Sequence, residues 1–121
     1  MEKNHSNCIF CKIVAGEVPC HKVWENEDFL AFLDATPVGE GHTLVIPKKH
    51  FNTFLDVDKE HVSEFMEFLQ EVGNIVLKKY DADGFNIILN NGKFSGQVVG
   101  HVHFHILPRK EGDGKKGFCL R

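Results

Sequence analysis

The segment from residue 100 to 108 reads GHVHFHILP, and in it three histidines alternate with three apolar residues: His101, His103 and His105 with Val102, Phe104 and Ile106. Alternate side chains of a β-strand lie on the same face, so this pattern predicts a strand with imidazoles on one face and apolar side chains on the other. The apolar face must be covered by a hydrophobic core. The segment therefore predicts a sheet that is packed on one face and presents three histidines on the other.

The remaining sequence supplies further elements for such a sheet. Apolar runs bounded by turn-forming residues predict strands in HKVWE (21–25), FLAFLD (29–34), HTLVIP (42–47), FNIILNN (85–91) and VVGHVHFHILP (98–108). The stretch CIFCKIVA (8–15) predicts a short N-terminal helix that ends before Gly16, and residues 59–80 predict a long helix with Asp58 as its N-cap. This order favours an α+β fold with a largely antiparallel sheet of about five strands. The basic, glycine-rich C-terminal tail (108–121) is expected to be poorly ordered.

The long helix has two apolar rows. One row recurs at spacings of three and four residues and predicts the face buried on the sheet: Val62, Phe65, Leu69, Val72 and Val76. Phe68 and Ile75 form a second row beside it, which is wider than one contact with a sheet requires. This pattern is equally consistent with a homodimer face and with a deeply buried helix.

Length and charge limit the function classes. The 121 residues favour one domain, 1–121, and a net charge of −3 provides no excess of basic residues for binding a nucleic acid backbone. No apolar run approaches the length that a membrane-spanning helix needs. The N-terminal MEKNHSNC lacks the apolar core of a signal peptide, so we expect a cytoplasmic or nuclear protein. In those compartments the four cysteines favour metal binding or free thiols over disulfides: Cys8, Cys11, Cys20 and Cys119.

The spacing of the three histidines suggests that they do not all bind one metal ion. Residues two apart on a strand are separated by roughly 6.5–7 Å, and residues four apart by roughly 13 Å. Metal–nitrogen bonds are only about 2 Å long, so one ion cannot easily collect all three imidazoles. At least one neutral imidazole is then available as a nucleophile or proton carrier near pH 7.

The motif HVHFHIL resembles the His-φ-His-φ-His-φ-φ signature (φ, apolar) of the histidine-triad (HIT) superfamily of nucleotide hydrolases and transferases. The resemblance extends through CIFCKIVAGEVP, FLAFLDATPVGEGHTLVIPKKH and NNGKFSGQVVGHVHFHILPR, and is greatest to the Hint-type branch with a bacterial-style zinc site. It implies a homodimer that cleaves purine nucleoside phosphoramidates or related nucleotidyl conjugates.

The resemblance also implies roles for individual residues. His103 is expected to be the nucleophile at the α-phosphorus, with His105 bonded to the phosphate or the leaving group and His42 supporting the triad. Asp34 matches the residue that binds the ribose hydroxyls. Without the resemblance, His42 reads as a surface residue at a strand end and Asp34 equally well as a turn cap. A second set matches positions near the phosphates: Asn90, Gly96 and Gln97. The chain departs from the pattern at Val98, where Hint-type enzymes usually carry Ser or Thr after Gly-Gln.

A structural zinc site is implied at the other end of the same motif. Cys8 and Cys11 have the C-x2-C spacing that lets two thiolates bind one ion, although two buried thiols would show the same spacing. In the zinc-bearing branch, the other two ligands lie at the positions of His50 and His101. His101 is then expected to bind metal while His103 carries the chemistry, which itself needs no metal. Cys20 and Cys119 are interpreted as ordinary thiols.

Three other functions are consistent with parts of this pattern. A Fhit-like dinucleoside polyphosphate hydrolase would use the same nucleophile, and His105 favours a hydrolase because related transferases carry Gln at that position. A nucleotide-binding scaffold with weak catalysis is supported by the missing hydroxyl at Val98. A zinc metallohydrolase is disfavoured by the strand spacing and by the lack of a nearby carboxylate ligand.

Overall fold

A computed structural model describes residues 7–114. Its helices and strands, in chain order, are α1 (Ile9–Val14), β1 (Lys22–Glu25), β2 (Phe29–Leu33), β3 (Thr43–Pro47), α2 (Lys59–Lys79), β4 (Gly84–Leu89) and β5 (Phe104–Arg109). Two short 3-10 helices span Phe54–Asp56 and Lys93–Ser95. The five strands form one antiparallel sheet in the order β1-β2-β3-β5-β4. The expected α+β architecture with a long and a short helix is confirmed.

The sheet is covered on both faces. One core lies between the sheet and α2 and contains Val102, Phe104 and Ile106 together with the buried side chains of the helix. A smaller core lies on the opposite face, where Phe10 of α1 packs against Leu30, Phe32, Leu44 and Ile46. All five residues of the central strand β3 are buried, as its continuous apolar run predicts. No helix within residues 7–114 is long and apolar enough to cross a membrane.

The prediction of a strand over 98–108 was wrong at its start. Pairing begins only at Phe104, which lies opposite Val45 of β3 and Leu89 of β4. Both neighbouring strands end near this point, since β4 stops at Leu89 and β3 stops two residues beyond Val45. The preceding segment is held by other bonds: the Val102 N–H donates to the Phe51 carbonyl at 2.7 Å. His101 and His103 therefore lie outside the regular ladder.

Of the apolar row of α2 that suggested a dimer face, Phe68 belongs to the core, whereas Ile75 is only half-buried. Phe68 is buried, and its ring stacks on that of Phe29 with the centroids 5.6 Å apart. Two half-exposed apolar side chains of α2, Met66 and Leu77, lie on the side facing β4. Periodicity detected the width of the apolar surface but not which part the sheet covers.

The C-terminal segment is held in place further than expected. Arg109 is the last residue of β5, and its guanidinium donates to both carboxylate oxygens of Asp113 and to Asn86 Oδ1. The Glu111 N–H donates to the Asp83 carboxylate. These bonds correct the prediction of disorder for residues 109–113, whereas 115–121, with Cys119, lie outside the described residues.

Candidate active site

A cavity of about 650 Å³, here called the main cavity, opens on the sheet face that carries α1. One wall comes from α1 and the segment after it: Ile9, Phe10, Ile13, Val18, Pro19, Cys20 and His21. The other side is formed by Phe32, Leu33, Asp34, Ala35, Thr36, Leu44, Val98, Val99, His103 and His105. The cavity is thus apolar over most of its surface, with a polar end where Asp34 and two triad histidines meet. Such a mixture suits a ligand with a flat, mostly apolar part and a polar part.

The backbone selects the tautomer of His103. Its Nδ1 lies 2.8 Å from the carbonyl oxygen of His101, so Nδ1 carries the proton and donates it. Nε2 therefore has a free lone pair. Burial lowers the pKa of His103 below its ordinary value, which keeps the ring uncharged near neutral pH. An uncharged imidazole with an unprotonated nitrogen is a nucleophile.

A chain of hydrogen bonds gives His105 the opposite tautomer. The Val38 N–H donates to His42 Nδ1 at 3.2 Å, so the proton of the His42 ring is on Nε2. That Nε2–H lies 2.9 Å from His105 Nδ1 and donates to it. His105 must then carry its own proton on Nε2, a buried atom without a hydrogen-bond partner among the described residues. The site contains a donor whose partner must come from a ligand or from water.

His105 is strongly held in the neutral form. Burial, with added repulsion from His103 and His42 in their charged forms, lowers the pKa of His105 to about 4. Burial also lowers the pKa of His42, and the Asp34 carboxylate opposes this shift. Asp34 Oδ2 is 3.4 Å from His42 Nε2, while its Oδ1 accepts the Thr36 N–H at 2.9 Å. The site therefore combines three neutral imidazoles with one carboxylate at its edge.

The three residues that the resemblance places near the phosphates are located differently from the triad histidines. Asn90, Gly96 and Gln97 do not line the main cavity as the structure describes it. The Gln97 side chain bonds the backbone: it donates to the carbonyls of Asn52 and Val99 and accepts the Gly92 N–H. Gly96 ends a 3-10 turn with φ +101°, a conformation that favours glycine. In this arrangement Gln97 and Gly96 shape the loop that presents Val98.

Val98 does line the main cavity, and its side chain is 71% exposed. The nearby hydroxyl of Ser95 does not replace the missing one, because it donates to the carbonyls of Asn91 and Gly92. This part of the cavity edge is therefore aliphatic.

A second group of side chains, here called the metal cluster, contains Cys8, Cys11, His50 and His101, with one ligand atom of each within 4.8 Å of the others. Cys8 Sγ and Cys11 Sγ lie 3.4 and 3.6 Å from His101 Nδ1, and Cys11 Sγ lies 3.2 Å from His50 Nδ1. Bonds of about 2.3 Å to sulfur and about 2.0 Å to nitrogen at tetrahedral angles separate such atoms by about 3.5 Å. The cluster has the size of a tetrahedral metal site.

The surroundings of the metal cluster support the same use. His101 Nε2 donates to the Pro47 carbonyl at 2.8 Å, and His50 Nε2 donates to Asn52 Oδ1 at 2.9 Å. Both rings therefore turn an unprotonated Nδ1 toward the cysteines, as metal-binding histidines do. The Cys11 N–H donates to Cys8 Sγ.

Sequence reasoning missed the residue that joins the two sites. Phe10 lies between the metal-cluster cysteines in sequence, and its ring packs edge-on against both His101 and His103, at centroid distances of 5.8 and 5.1 Å. On a helix, Cys8 and Cys11 lie on one face because they are three residues apart, and Phe10 between them projects from an adjacent face. The C-x2-C spacing therefore indicated that Phe10 would lie beside the metal cluster. The lining residues Cys20, His21 and Thr36 had no comparable signal.

Comparisons with known proteins give consistent results. The family model described as HIT domain matches residues 15–112. An uncharacterised HIT-like protein of Methanocaldococcus jannaschii is 51% identical over 108 residues, which cover 89% of this chain and 83% of that protein. An adenylylsulfatase of Arabidopsis thaliana is 41% identical over 89% of this chain, although the chain spans only 55% of that protein.

Two further relatives bear on the chemistry and the metal. An adenosine 5′-monophosphoramidase of Schizosaccharomyces pombe is 41% identical over 85% of this chain and 74% of that protein. A zinc-bound histidine triad family protein from Mycobacterium smegmatis has a solved structure that superposes with a TM-score of 0.85 at 40% identity, covering 95% of this chain and 83% of that chain.

Proposed function

This chain belongs to the HIT family, and from that premise we propose that it is a nucleotide hydrolase that cleaves purine nucleoside phosphoramidates or related nucleotidyl conjugates. One observation carries the proposal. His103 and His105, with ring centroids 5.0 Å apart in one cavity, have opposite tautomers, so one presents a lone pair and the other an N–H. This pair suits attack on phosphorus with simultaneous hydrogen bonding to a phosphate oxygen.

The proposed substrate orientation follows the polarity of the main cavity. The purine lies against the apolar wall from α1, and the ribose hydroxyls donate to Asp34. The α-phosphate then reaches the polar end, where the unpartnered Nε2–H of His105 donates to a non-bridging oxygen. Asn90, Gly96 and Gln97 are proposed to support the phosphate loop, and His42 orients His105.

The proposed reaction has two displacements. His103 Nε2 forms a bond to phosphorus, the bond from phosphorus to the leaving nitrogen breaks, and the departing amine takes a proton from solvent. The Nδ1–H bond to the His101 carbonyl stabilises the positive charge that develops on the ring. Water then attacks phosphorus, the bond to His103 breaks, and the attacking water gives up a proton to solvent, which balances the proton taken by the amine. The products are the nucleoside monophosphate and the amine.

The decisive experiment is single-turnover trapping with adenosine 5′-phosphoramidate. Wild-type protein quenched in alkaline denaturant, in which the phosphorus–nitrogen bond of a nucleotidyl-histidine survives, is expected to carry one nucleotidyl group on His103, located by peptide mass spectrometry. The His103→Ala variant should release no AMP but bind AMP with an affinity within a few-fold of wild type. Full turnover in that variant would refute the assignment. Binding without any labelled protein would instead favour a nucleotide-binding scaffold, and preferred cleavage of diadenosine polyphosphates would favour the Fhit-like alternative.

The metal cluster is proposed to hold a structural Zn²⁺. Two thiolates and two neutral imidazoles match the ligands that zinc prefers, and four protein ligands leave no position for a catalytic water. Support comes from the ligand distances, the bonded Nε2 atoms and the zinc-bound relative. Metal analysis after purification without a metal-affinity tag should find one zinc per chain, and a Cys11→Ser variant should retain much less. A wild-type protein free of zinc, with stability indifferent to chelator, would contradict the proposal.

A homodimer is proposed through the free edge of β4 and the adjoining face of α2. Phe85 and Ile87 of this edge strand are each more than 40% exposed, and with Met66 and Leu77 they line a groove of about 850 Å³. An exposed edge with apolar side chains is normally covered by pairing. Sedimentation should give a dimer for wild type and a monomer for Ile87→Lys. A monomeric wild type would refute this arrangement.

A further inference from the structure

A second cavity of about 410 Å³, here called the side cavity, lies beside the main cavity and has no assigned role. It is lined by Asn7, Cys8, Ile9, His50, Asn52, Val98, Val99 and Gly100. Three of these residues, Ile9, Val98 and Val99, also line the main cavity. The two spaces therefore meet along an aliphatic rim made by these three side chains.

The proposed reaction directs part of the substrate across this rim. In a displacement at phosphorus, the nucleophile and the leaving group lie roughly in line on opposite sides of the phosphorus atom. The nucleoside occupies the wall formed by α1 and Asp34, and the attacking nitrogen belongs to His103. Of the residues that line the main cavity, Ile9, Val98 and Val99 also border a further space. The side cavity is a volume available to the group that departs.

The rim has a definite chemical character. Val98 is 71% exposed and Ile9 is 41% exposed, so both present aliphatic surface to a ligand. Among residues 7–114, no lysine or arginine lines either cavity. The lysines that follow β3 are paired elsewhere, Lys48 with Glu25 and Lys49 with Asp58. An anionic leaving group would lose water at this rim without gaining a cation, and it would also meet the field of Asp34.

We propose that the side cavity is a leaving-group subsite, in which the rim of Ile9 and Val98 binds an uncharged, apolar amine substituent and disfavours anionic leaving groups such as sulfate. The inference rests on the proposed nucleotidyl transfer to His103 and adds a substrate class to it. It also accounts for Val98, because a valine donates no hydrogen bond to the leaving nitrogen but contributes apolar contact to what that nitrogen carries.

The magnitude follows from apolar burial. Each methylene removed from water contributes about 0.8 kcal/mol, which corresponds to about fourfold in binding. Because the rim stays open to solvent on one side, a bound substituent loses only part of its contact with water and gains only part of this free energy. We therefore expect kcat/KM to rise about two- to fourfold per methylene over the first few carbons of the substituent.

The test is a series of adenosine 5′-phosphoramidates of straight-chain amines from methyl to hexyl, whose basicity is nearly constant, with adenylyl sulfate as the anionic comparison. Wild type should show the rise in kcat/KM and should disfavour adenylyl sulfate. Val98→Ser and Ile9→Ser should flatten the dependence on chain length, and Val98→Lys should raise the relative rate with adenylyl sulfate. Phe94→Ser is the matched control, because Phe94 is fully exposed on the same loop but lines neither cavity.

Binding provides a second measurement that does not depend on turnover. Calorimetry of the same series with His103→Ala should show affinities that rise with chain length and lose this dependence on addition of Val98→Ser. Release of AMP from every compound at the same kcat/KM would overturn the subsite and leave the hydrolase proposal intact. An unchanged slope in both rim variants would also overturn it. Absence of AMP release from the whole series would instead refute the proposed function.

Discussion

Removing the proposed zinc is expected to weaken nucleotide binding as well as the fold, because one short helix contributes residues to both sites. Cys8 caps α1 and Cys11 lies within it, and both thiols belong to the metal cluster. The same helix contributes Ile9, Phe10 and Ile13 to the wall of the main cavity. The six residues of α1 are far fewer than the 12–15 at which an isolated helix becomes even marginally stable. Its position must therefore be maintained by tertiary contacts, to which the proposed zinc would add.

The size of the effect can be worked out from these contacts. Ordering six residues costs about 6–12 kcal/mol of backbone entropy. Burial of Phe10 returns about 2–3 kcal/mol, and the half-buried Ile13 and Val14 return about 1–2 kcal/mol each. Without metal ligation the docked helix has little or no net stabilisation. If the undocked form is favoured by only about 1.4 kcal/mol, a nucleotide that needs the docked wall binds about tenfold more weakly.

Calorimetric titration of AMP measures this directly. The dissociation constant of wild type should rise about tenfold after zinc is removed by chelator and return when zinc is restored. Cys11→Ser should bind AMP as weakly as the chelated protein and should not respond to chelator. By linkage, saturating AMP should tighten zinc binding by the same factor, measured by competition with a chelating dye. A change of less than twofold in AMP affinity on metal removal would refute the coupling through α1.

Three further predictions concern stability. The folded state keeps His105 neutral down to about pH 4, while the unfolded chain takes up its proton near pH 6.5, so the free energy of unfolding should fall as pH falls between these values. In urea melts with excess zinc, wild type should lose about 2 kcal/mol more than His105→Asn between pH 7.5 and pH 5, and equal losses would contradict the shift. Phe68→Ala should destabilise by about 3–5 kcal/mol in urea melts without changing the oligomeric state, since the ring stacks on Phe29 in the core; dissociation without destabilisation would place it at an interface instead. Gly41→Ala should cost about 1–3 kcal/mol by thermal melting, because φ is +81° there and a Cβ would lie 2.7 Å from Tyr80 Cδ2; an unchanged melting temperature would show that the turn adapts.

Much of the fold could be predicted because its signals are local. The spacing of apolar residues in α2 located the helix to within one residue at each end, because apolar residues recur on the same face in every turn. The continuous run of β3 indicated a strand covered on both faces. The start of β5 could not be predicted, because pairing there depends on where β3 and β4 end, and those ends are set by residues far away in sequence. For the same reason, periodicity could not show that Phe68 faces the sheet.

The candidate site likewise has features that the sequence determined and features that only the tertiary structure determined. The sequence by itself determined which residue types are present and, through the alternation of HVHFHIL, that three imidazoles share one side of the chain; resemblance added their expected roles. Only the tertiary structure decided their hydrogen bonds: the His101 carbonyl places the proton of His103 on Nδ1, and the chain from Val38 through His42 places that of His105 on Nε2. Likewise, only folding brings His50 and His101 to Cys8 and Cys11. An imidazole is the same in every sequence, and its protonation and ligands depend on the atoms that folding brings within about 3 Å of each nitrogen.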